Sequence, residues 1–463
     1  MRELSGSPVS RAHRRKPVAA GIAAIGVMSG PALCSAANVL YVTNCLDDGS
    51  LYTLRQSVLS AATGDTVDLS LLNAASPGCA TATPPGTINI NAGGAIAIPA
   101  ANTQLYIVGP TNYSVTVSSA PASPAGNPTR IFDMPGGGSL GVSNLTLAHG
   151  GVVRALAAYG GCIHSTGALS LQDVTMTDCS ANSTGDAGGF GGAIVATDVH
   201  IMHSMITGST ASGGVTYGGA VLCTTCDIRY STFSGNSATY GAAIFVGASA
   251  DIENSTISGN TSVDYGALAC YGNCTVVNST ISGNSAAGGP TAGMFVAGTA
   301  APTTRIYNST IAFNSASSAE KGLAPGLAIA GGSVKVYSTI ISNNTYGGST
   351  NFDFSINSGV TLSAGNDMVP YPPSSGMPSG SNTLPGVCPL LLPLSYNGGP
   401  TRTHALPSHS PAIDAGSNVF LPTPSYDQRG SPFARMSGSA PDIGAYEVDQ
   451  SDVVFNTGFE GCP

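Results

Sequence analysis

Through the middle of the chain, apolar and polar positions recur in a fixed frame. The string NSTISGN stands at Asn254–Asn260 and again at Asn278–Asn284, with looser copies starting at Tyr230, Asn308 and Ser338 and older ones at Asn144, Asp173 and His203. Successive starts lie 29, 30, 27, 24, 24, 30 and 30 residues apart. Two places before each start stands Val142, Leu171, Ile201, Ile228, Ile252, Val276, Ile306 or Val336. Three places after it stands Leu147, Met176, Ile206, Phe233, Ile257, Ile281, Ile311 or Ile341. Columns free of polar residues in every copy must face one continuous core. Six places after the start, Asn236, Asn260, Asn284, Asn314 and Asn344 recur. Asn tolerates left-handed bends, and its amide can bond to the Asn of the next coil, so the column predicts an asparagine ladder. The ladder accounts for the Asn-Ser-Thr strings without invoking glycosylation, which would need a eukaryotic host.

A second element precedes several copies: YGGCI at Tyr159, FGGAI at Phe190, YGGAV at Tyr217, YGAAI at Tyr240 and YGALA at Tyr265. The Gly permits a turn with positive φ, and the apolar residue after it begins a short strand. Each repeat thus holds two or three short strands and cannot bury its own face, so it must stack on its neighbours. At a strand spacing of roughly 4.8 Å, eight coils give a rod of about 40 Å. A β-propeller would need blades of about 40 residues, and a leucine-rich repeat several Leu per unit. The prediction is an all-β fold, a right-handed parallel β-helix (solenoid) with an N-terminal helical cap and a small C-terminal cap or anchor-type domain. LRQSVLSAA at Leu54–Ala62, with Leu54, Val58, Leu59 and Ala62 at helical spacing, supplies the plug. Short strands are expected in 64–70, 87–90, 95–98, 105–110 and 113–117. The division reads as a leader over 1–36, cap and first coils over 37–138, repeats over 139–346, an irregular Pro/Ser/Gly-rich segment over 347–383, an anchor-type domain over 384–450, and a tail over 451–463.

Composition sharpens this picture. Only 8% of the 463 residues are charged, with 61 Gly, 30 Pro and no Trp, which excludes a charged disordered chain or a coiled coil. Arg2, Arg11, Arg14, Arg15 and Lys16 precede an apolar run from Val18 to Leu33 and the small residues Ser35, Ala36 and Ala37. This is the layout of a secretory signal, and the run is short for a membrane anchor. Without it ten basic and 23 acidic residues remain, about −13, which disfavours nucleic acid or an anionic membrane as partner. Cys34 leaves with the leader, and ten cysteines suit an oxidising compartment. Local pairing joins Cys223 with Cys226, Cys270 with Cys274 and Cys162 with Cys179. The first two pairs could instead form a four-thiolate zinc site. Cys45, Cys79, Cys388 and Cys462 have no readable pairing.

Val42–Ser70 (VTNCLDDGSLYTLRQSVLSAATGDTVDLS) resembles the opening of bacterial exported β-helix proteins of the CSLREA type, with Leu-Tyr-Thr-Leu-Arg where that string would stand. Arg130–Gly150 is similar to the first full coils of that group, and the GGAI and FSGNSA strings resemble repeats of polymorphic outer-membrane proteins. YNGGPTRTHAL, SPAIDAG, DQRG and DIGAYE, in order between Tyr396 and Glu447, resemble the choice-of-anchor Q domain. The tail SDVVFNTGFEGCP resembles an ending of exported Gram-negative proteins. These resemblances imply a secreted or cell-surface protein and promise no enzymatic activity.

Two groups of residues are candidates for chemistry. Asp227 and Asp251 occupy equivalent places in adjacent coils, as do Arg229 and Glu253, so the four project from one face. As an enzyme site they would serve a polysaccharide lyase or hydrolase, with calcium as the cofactor of a lyase. As a surface ion pair Arg229 and Glu253 need no function, the reading we favour. Tyr159, Phe190, Tyr217, Tyr240 and Tyr265, if in register, stack along one edge. Exposed, they would bind sugar rings or a partner protein; buried, they would pack the bends, which the following Gly favours. His149, His164, His200 and His203 read as exposed and unpartnered. Around Asp414, Asp427, Arg429, Asp442 and Glu447, buried Arg–carboxylate pairs are expected to hold a strand-poor cap together. The sequence therefore favours a non-catalytic β-helix offering a long face to polysaccharide or other cell-surface components, without a cofactor. A lyase or hydrolase and a structural spacer are the alternatives.

Overall fold

The computed structural model describes residues 37–79, 86–90, 94–119, 128–298, 303–318, 322–348, 353–417 and 425–449. The expected leader and the tail with Cys462 lie outside them. The described chain is an all-β parallel solenoid, a β-helix of about ten turns. Every ladder between its named strands is parallel, in a 19-stranded, a ten-stranded and an eight-stranded sheet and one two-stranded pair. The register follows the repeat frame: Val142, Leu171, Ile201, Ile228, Ile252, Val276, Ile306 and Val336 lie in one column of the long sheet. Leu147 to Ile341 form the matching column of the second sheet. Both columns are buried to within 2%. In the long sheet the central coils are single strands, Ile194–Met202, Val221–Arg229 and Ile244–Glu253. The coils on either side break into two, as in Leu268–Cys270 and Asn273–Val277.

Two of the bends in each coil carry a ladder of their own. The asparagine ladder forms as expected: Asn236, Asn260, Asn284 and Asn314 each donate Nδ2–H to the next Oδ1 at 2.9 Å. The same amides also donate to the carbonyls of Ile206, Phe233, Ile257 and Ile281. The left-handed residue at this bend is not the Asn but the glycine before it, Gly235, Gly259 or Gly283, at φ 65–67°. The second left-handed column is the repeat start itself, from Asn144 to Ser338, at φ 45–54°. Directly after it runs a hydroxyl ladder, in which the backbone N–H groups of Ser204, Ser231, Ser255 and Ser279 donate to the Oγ of Ser231, Ser255, Ser279 and Ser309. In the tyrosine-glycine motif the first Gly takes positive φ, as at Gly191 and Gly218. A Cβ on the following Gly192 would run into the Gly219 carbonyl of the next coil.

The plug is a helix over Leu54–Ser60, capped by Thr53, whose side chain accepts from Gln56 N–H. Its inward face is Leu54, Val58 and Ala61, whereas Leu59 is 49% exposed and Ala62 points to solvent. Among the described residues four disulfides join Cys45–Cys79, Cys162–Cys179, Cys223–Cys226 and Cys270–Cys274. Cys388 is also disulfide-bonded. With their sulfurs joined, the two close pairs leave no thiolates for zinc.

The C-terminal region does not lengthen the rod. It returns along the outer face of the second sheet and forms one compact unit with the solenoid. Asn254 Nδ2–H donates to Asp427 O, Thr256 Oγ–H to Arg402 O, Thr280 Oγ–H to Gln428 Oε1, and Ala445 N–H to Thr310 Oγ. Thr256, Thr280 and Thr310 are consequently buried, while Met205, earlier in the same column, is 37% exposed. Within the segment buried arginine–carboxylate pairs form at two of the expected acids, Asp427 and Glu447. The second is with Arg435, which was not among the expected residues, while Asp414 and Asp442 accept backbone N–H groups. Arg429 holds Asp427 at 2.8 Å and lies between the rings of Phe433 and Tyr446, and Arg435 holds Glu447 at 3.2 Å.

Candidate functional site

Strand alternation directs Asp227 and Arg229 outward on either side of buried Ile228, and the ladder sets Asp251 and Glu253 beside them. Arg229 Nε donates to Asp227 at 2.8 Å and Nη1 to Glu253 at 3.0 Å, with all three side chains 35–44% exposed. The bond to Asp227 comes first among the causes that hold the Arg229 guanidinium above its ordinary value, with Glu253 and Asp251 adding to it. The patch is larger than the repeat suggests. His200 is in register with Asp227 and contacts both Asp198 and Asp227, at 3.2 and 3.7 Å. Beyond Asp251 and Thr275 the same column continues to Arg305 and Lys335. The outer face therefore runs from acidic to basic along the rod. Among the described residues no three His, Cys, Asp or Glu side chains converge as a metal site.

The five aromatic residues do stack. Tyr159–Phe190, Phe190–Tyr217, Tyr217–Tyr240 and Tyr240–Tyr265 have centroids 5.0, 5.7, 5.3 and 5.5 Å apart. Where the next coil has Thr291, Phe295 takes over, stacked on Tyr265 at 4.4 Å. The ribbon is neither free nor buried. Tyr159 is 41% exposed, the next four are half-buried, and Phe295 is 6% exposed. Burial, with Asp264 beside it, pushes the Tyr240 hydroxyl up to about 12.

Beside the ribbon lies a column that the repeat reading did not single out. An outward column of the long sheet reads His164, Val195, Leu222, Phe245, Ala269 and Phe295. Phe245 meets Tyr217 edge-on at 4.7 Å and stacks on Tyr271 at 4.9 Å. Tyr159, Val195, Leu222 and the Thr166, Thr197 and Thr224 edge enclose a shallow groove of about 390 Å³. The signal for this column was an apolar residue at every second position of a strand whose other face was already apolar.

The histidines are not isolated. His164 Nδ1 lies 2.8 Å from Asp133, which also pairs with Arg130 at 3.0 Å. Burial works against the Asp133 carboxylate, but His164 and Arg130 outweigh it and hold its pKa below the ordinary value. His149 meets Ser118 Oγ at 3.2 Å and Asp178 at 3.8 Å, and His203 packs on the Tyr230 ring. These partners come from neighbouring coils about 30 residues away, beyond any local motif.

No family model matches the chain, and no curated protein matches it. Among solved structures, the crystal structure of pectate lyase Pel9A matches at 13% identity with a TM-score of 0.43, over 89% of this chain and 97% of that one.

Proposed function

We propose that this is an exported, non-catalytic β-helix protein that binds glycan chains along the aromatic ribbon and the apolar groove beside it. The observation that carries the reading is the row of partly exposed rings from Tyr159 to Tyr265, each in contact with the next. Pre-stacked rings offer wide apolar area at little cost in side-chain ordering, and their hydroxyls supply hydrogen bonds at the rim. Four disulfides suit an extracellular setting. A net charge of −9 speaks against nucleic acid.

The lyase alternative needs a base that can give up its proton. Arg229, bonded to two carboxylates, is moved the wrong way for that role. The test incubates the mature protein with calcium and a panel of neutral and acidic polysaccharides, scoring both retention and new chain ends. Retention on at least one glycan, weakened tenfold or more by Tyr217→Ala and unchanged by Arg229→Ala, is the expected result. New chain ends that vanish in Arg229→Ala would overturn it in favour of a lyase or hydrolase.

A further inference from the structure

A second groove, of about 360 Å³, opens between the solenoid and the returning C-terminal segment. One side is built from consecutive Ser-Gly pairs at the exits of second-sheet strands, Ser234-Gly235, Ser258-Gly259 and Ser282-Gly283; Phe313, Leu394, Arg402 and His404 complete it. A Cβ on Gly259 or Gly283 would meet no atom within 4 Å, so the absence of side chains there keeps the space open.

Arg402 is the charged residue of this lining, and its guanidinium is poorly satisfied. Its backbone carbonyl is fixed by Thr256 and Gln428, but its side chain makes one long bond, from Nη2 to Ser258 Oγ at 3.4 Å. Its Nε is shut off from solvent without an acceptor. The neighbouring Arg429 and Arg435 are each paired with a carboxylate, whereas among the described residues no carboxylate lies within 4 Å of Arg402. A guanidinium stays charged at any pH the protein meets. His404 beside it is engaged on both nitrogens, with Ser282 Oγ and Leu392 O. The backbone N–H groups of Gly235, Gly259 and Gly283 are used in the coil-to-coil ladder.

The geometry points to a carboxylate-binding site, in which Arg402 and the Ser258 hydroxyl hold the carboxylate of a sugar acid while Phe313 and Leu394 contact its ring. The planar fork of Arg suits a carboxylate, and the volume is at the small end for ligand pockets, enough for a single ring. The site is on a different sheet from the aromatic ribbon and stands independently of it.

The test is calorimetric titration of the mature protein with galacturonic acid, galactose, acetate and inorganic phosphate. Galacturonic acid is expected to bind and galactose not to. Arg402→Gln should weaken binding at least tenfold, and Ser258→Ala several-fold, with Arg402→Lys recovering part of the loss. Unchanged melting of Arg402→Gln would establish that the fold is intact. Equal affinity in wild type and Arg402→Gln, or no heat with any anion, would overturn the site and leave a hydrated guanidinium. Acetate or phosphate binding as tightly as galacturonic acid would overturn the sugar-acid assignment. Tyr217→Ala must leave this affinity unchanged, and its loss there would move the ligand to the ribbon.

Discussion

Asn344 donates its side-chain N–H to the carboxylate of Asp353 at 3.0 Å, so the asparagine ladder ends on an acid. The hydroxyl ladder ends the same way, with Thr339 N–H donating to Asp367 Oδ1 at 3.0 Å. Both carboxyls are fully buried. Burial pushes Asp353 up to about 7, against the bonds from Asn344, and Asp367 well above the ordinary carboxylate range. An aspartate offers the terminal amide an acceptor but brings a proton equilibrium into the core.

That equilibrium has a defined sign. Because the folded state holds the Asp353 proton more tightly than the unfolded chain, its contribution to stability is full below the unfolded pKa of about 3.9 and is lost as the pH rises through about 7. Asp353→Asn keeps the acceptor oxygen and removes the proton. The variant should therefore melt higher than wild type at pH 8, with an advantage that shrinks as the pH falls towards 5. The scale is about 1.4 kcal/mol per unit of pKa separation. Calorimetric melts at pH 5, 6, 7 and 8 measure this directly, and a constant difference across the series would refute it.

Asn284→Ala should be among the costlier ladder substitutions. Asn284 Oδ1 accepts from both the backbone and the side chain of Asn260, and its Nδ2 donates to Asn314 and to Ile257 O. All these groups lie where water does not reach. Leaving several of them unpaired should cost about 3 kcal/mol or more. Urea titration of wild type and variant gives the value.

The rod was legible because its core columns repeat eight times, and a position that never turns polar can only face inward. The asparagine ladder was legible for the same reason. The bend chemistry was assigned to the wrong residue: Asn236 and its equivalents bond, while the glycine before each one bends. Ser255 and its column carry no sign of their role, since nothing in one coil reveals that a hydroxyl bonds to the next coil's backbone. The path of the C-terminal segment was illegible because it rests on contacts such as Asn254 with Asp427, 173 residues apart. His164 with Asp133 was hidden likewise, at a separation of 31 residues.

Arg229→Ala should change stability by no more than about 1 kcal/mol. The pair with Glu253 and the contact to Asp227 are both well exposed, and such pairs are screened and entropically costly to hold. Removing the arginine leaves Asp227, Asp251 and Glu253 as neighbours, so any loss should be larger at low salt. Melts at low and high ionic strength would separate this outcome from a structural role, which salt would not diminish.

His404 should make the docking of the C-terminal segment sensitive to acid. Its Nδ1–H donates to Leu392 O at 2.6 Å, which fixes Nε2 as the acceptor of the Ser282 hydroxyl at 2.7 Å. The ring packs against Phe313, and burial pulls its pKa down to about 4. A lowered value means the unfolded chain binds the proton more readily. The histidine's contribution is therefore complete above about 6.5 and is lost as the pH falls from there through about 4. The carboxyl of Asp353, pushed up to about 7, acts in the opposite sense at the end of the ladder, and those of Asp427, Asp442 and Glu447, all raised by burial, do so within the segment itself. Wild type alone would thus mix the two signs, whereas comparing proteolysis of the segment in wild type and His404→Ala isolates the histidine, since the carboxyls are common to both. Cleavage between residues 384 and 449 should accelerate in wild type between pH 6.5 and 4.5. In His404→Ala cleavage should be faster at pH 7, from the lost bonds and the cavity, and should gain little further in acid. A wild-type to variant ratio of cleavage rates that is the same at both pH values would show that His404 is not what acid releases.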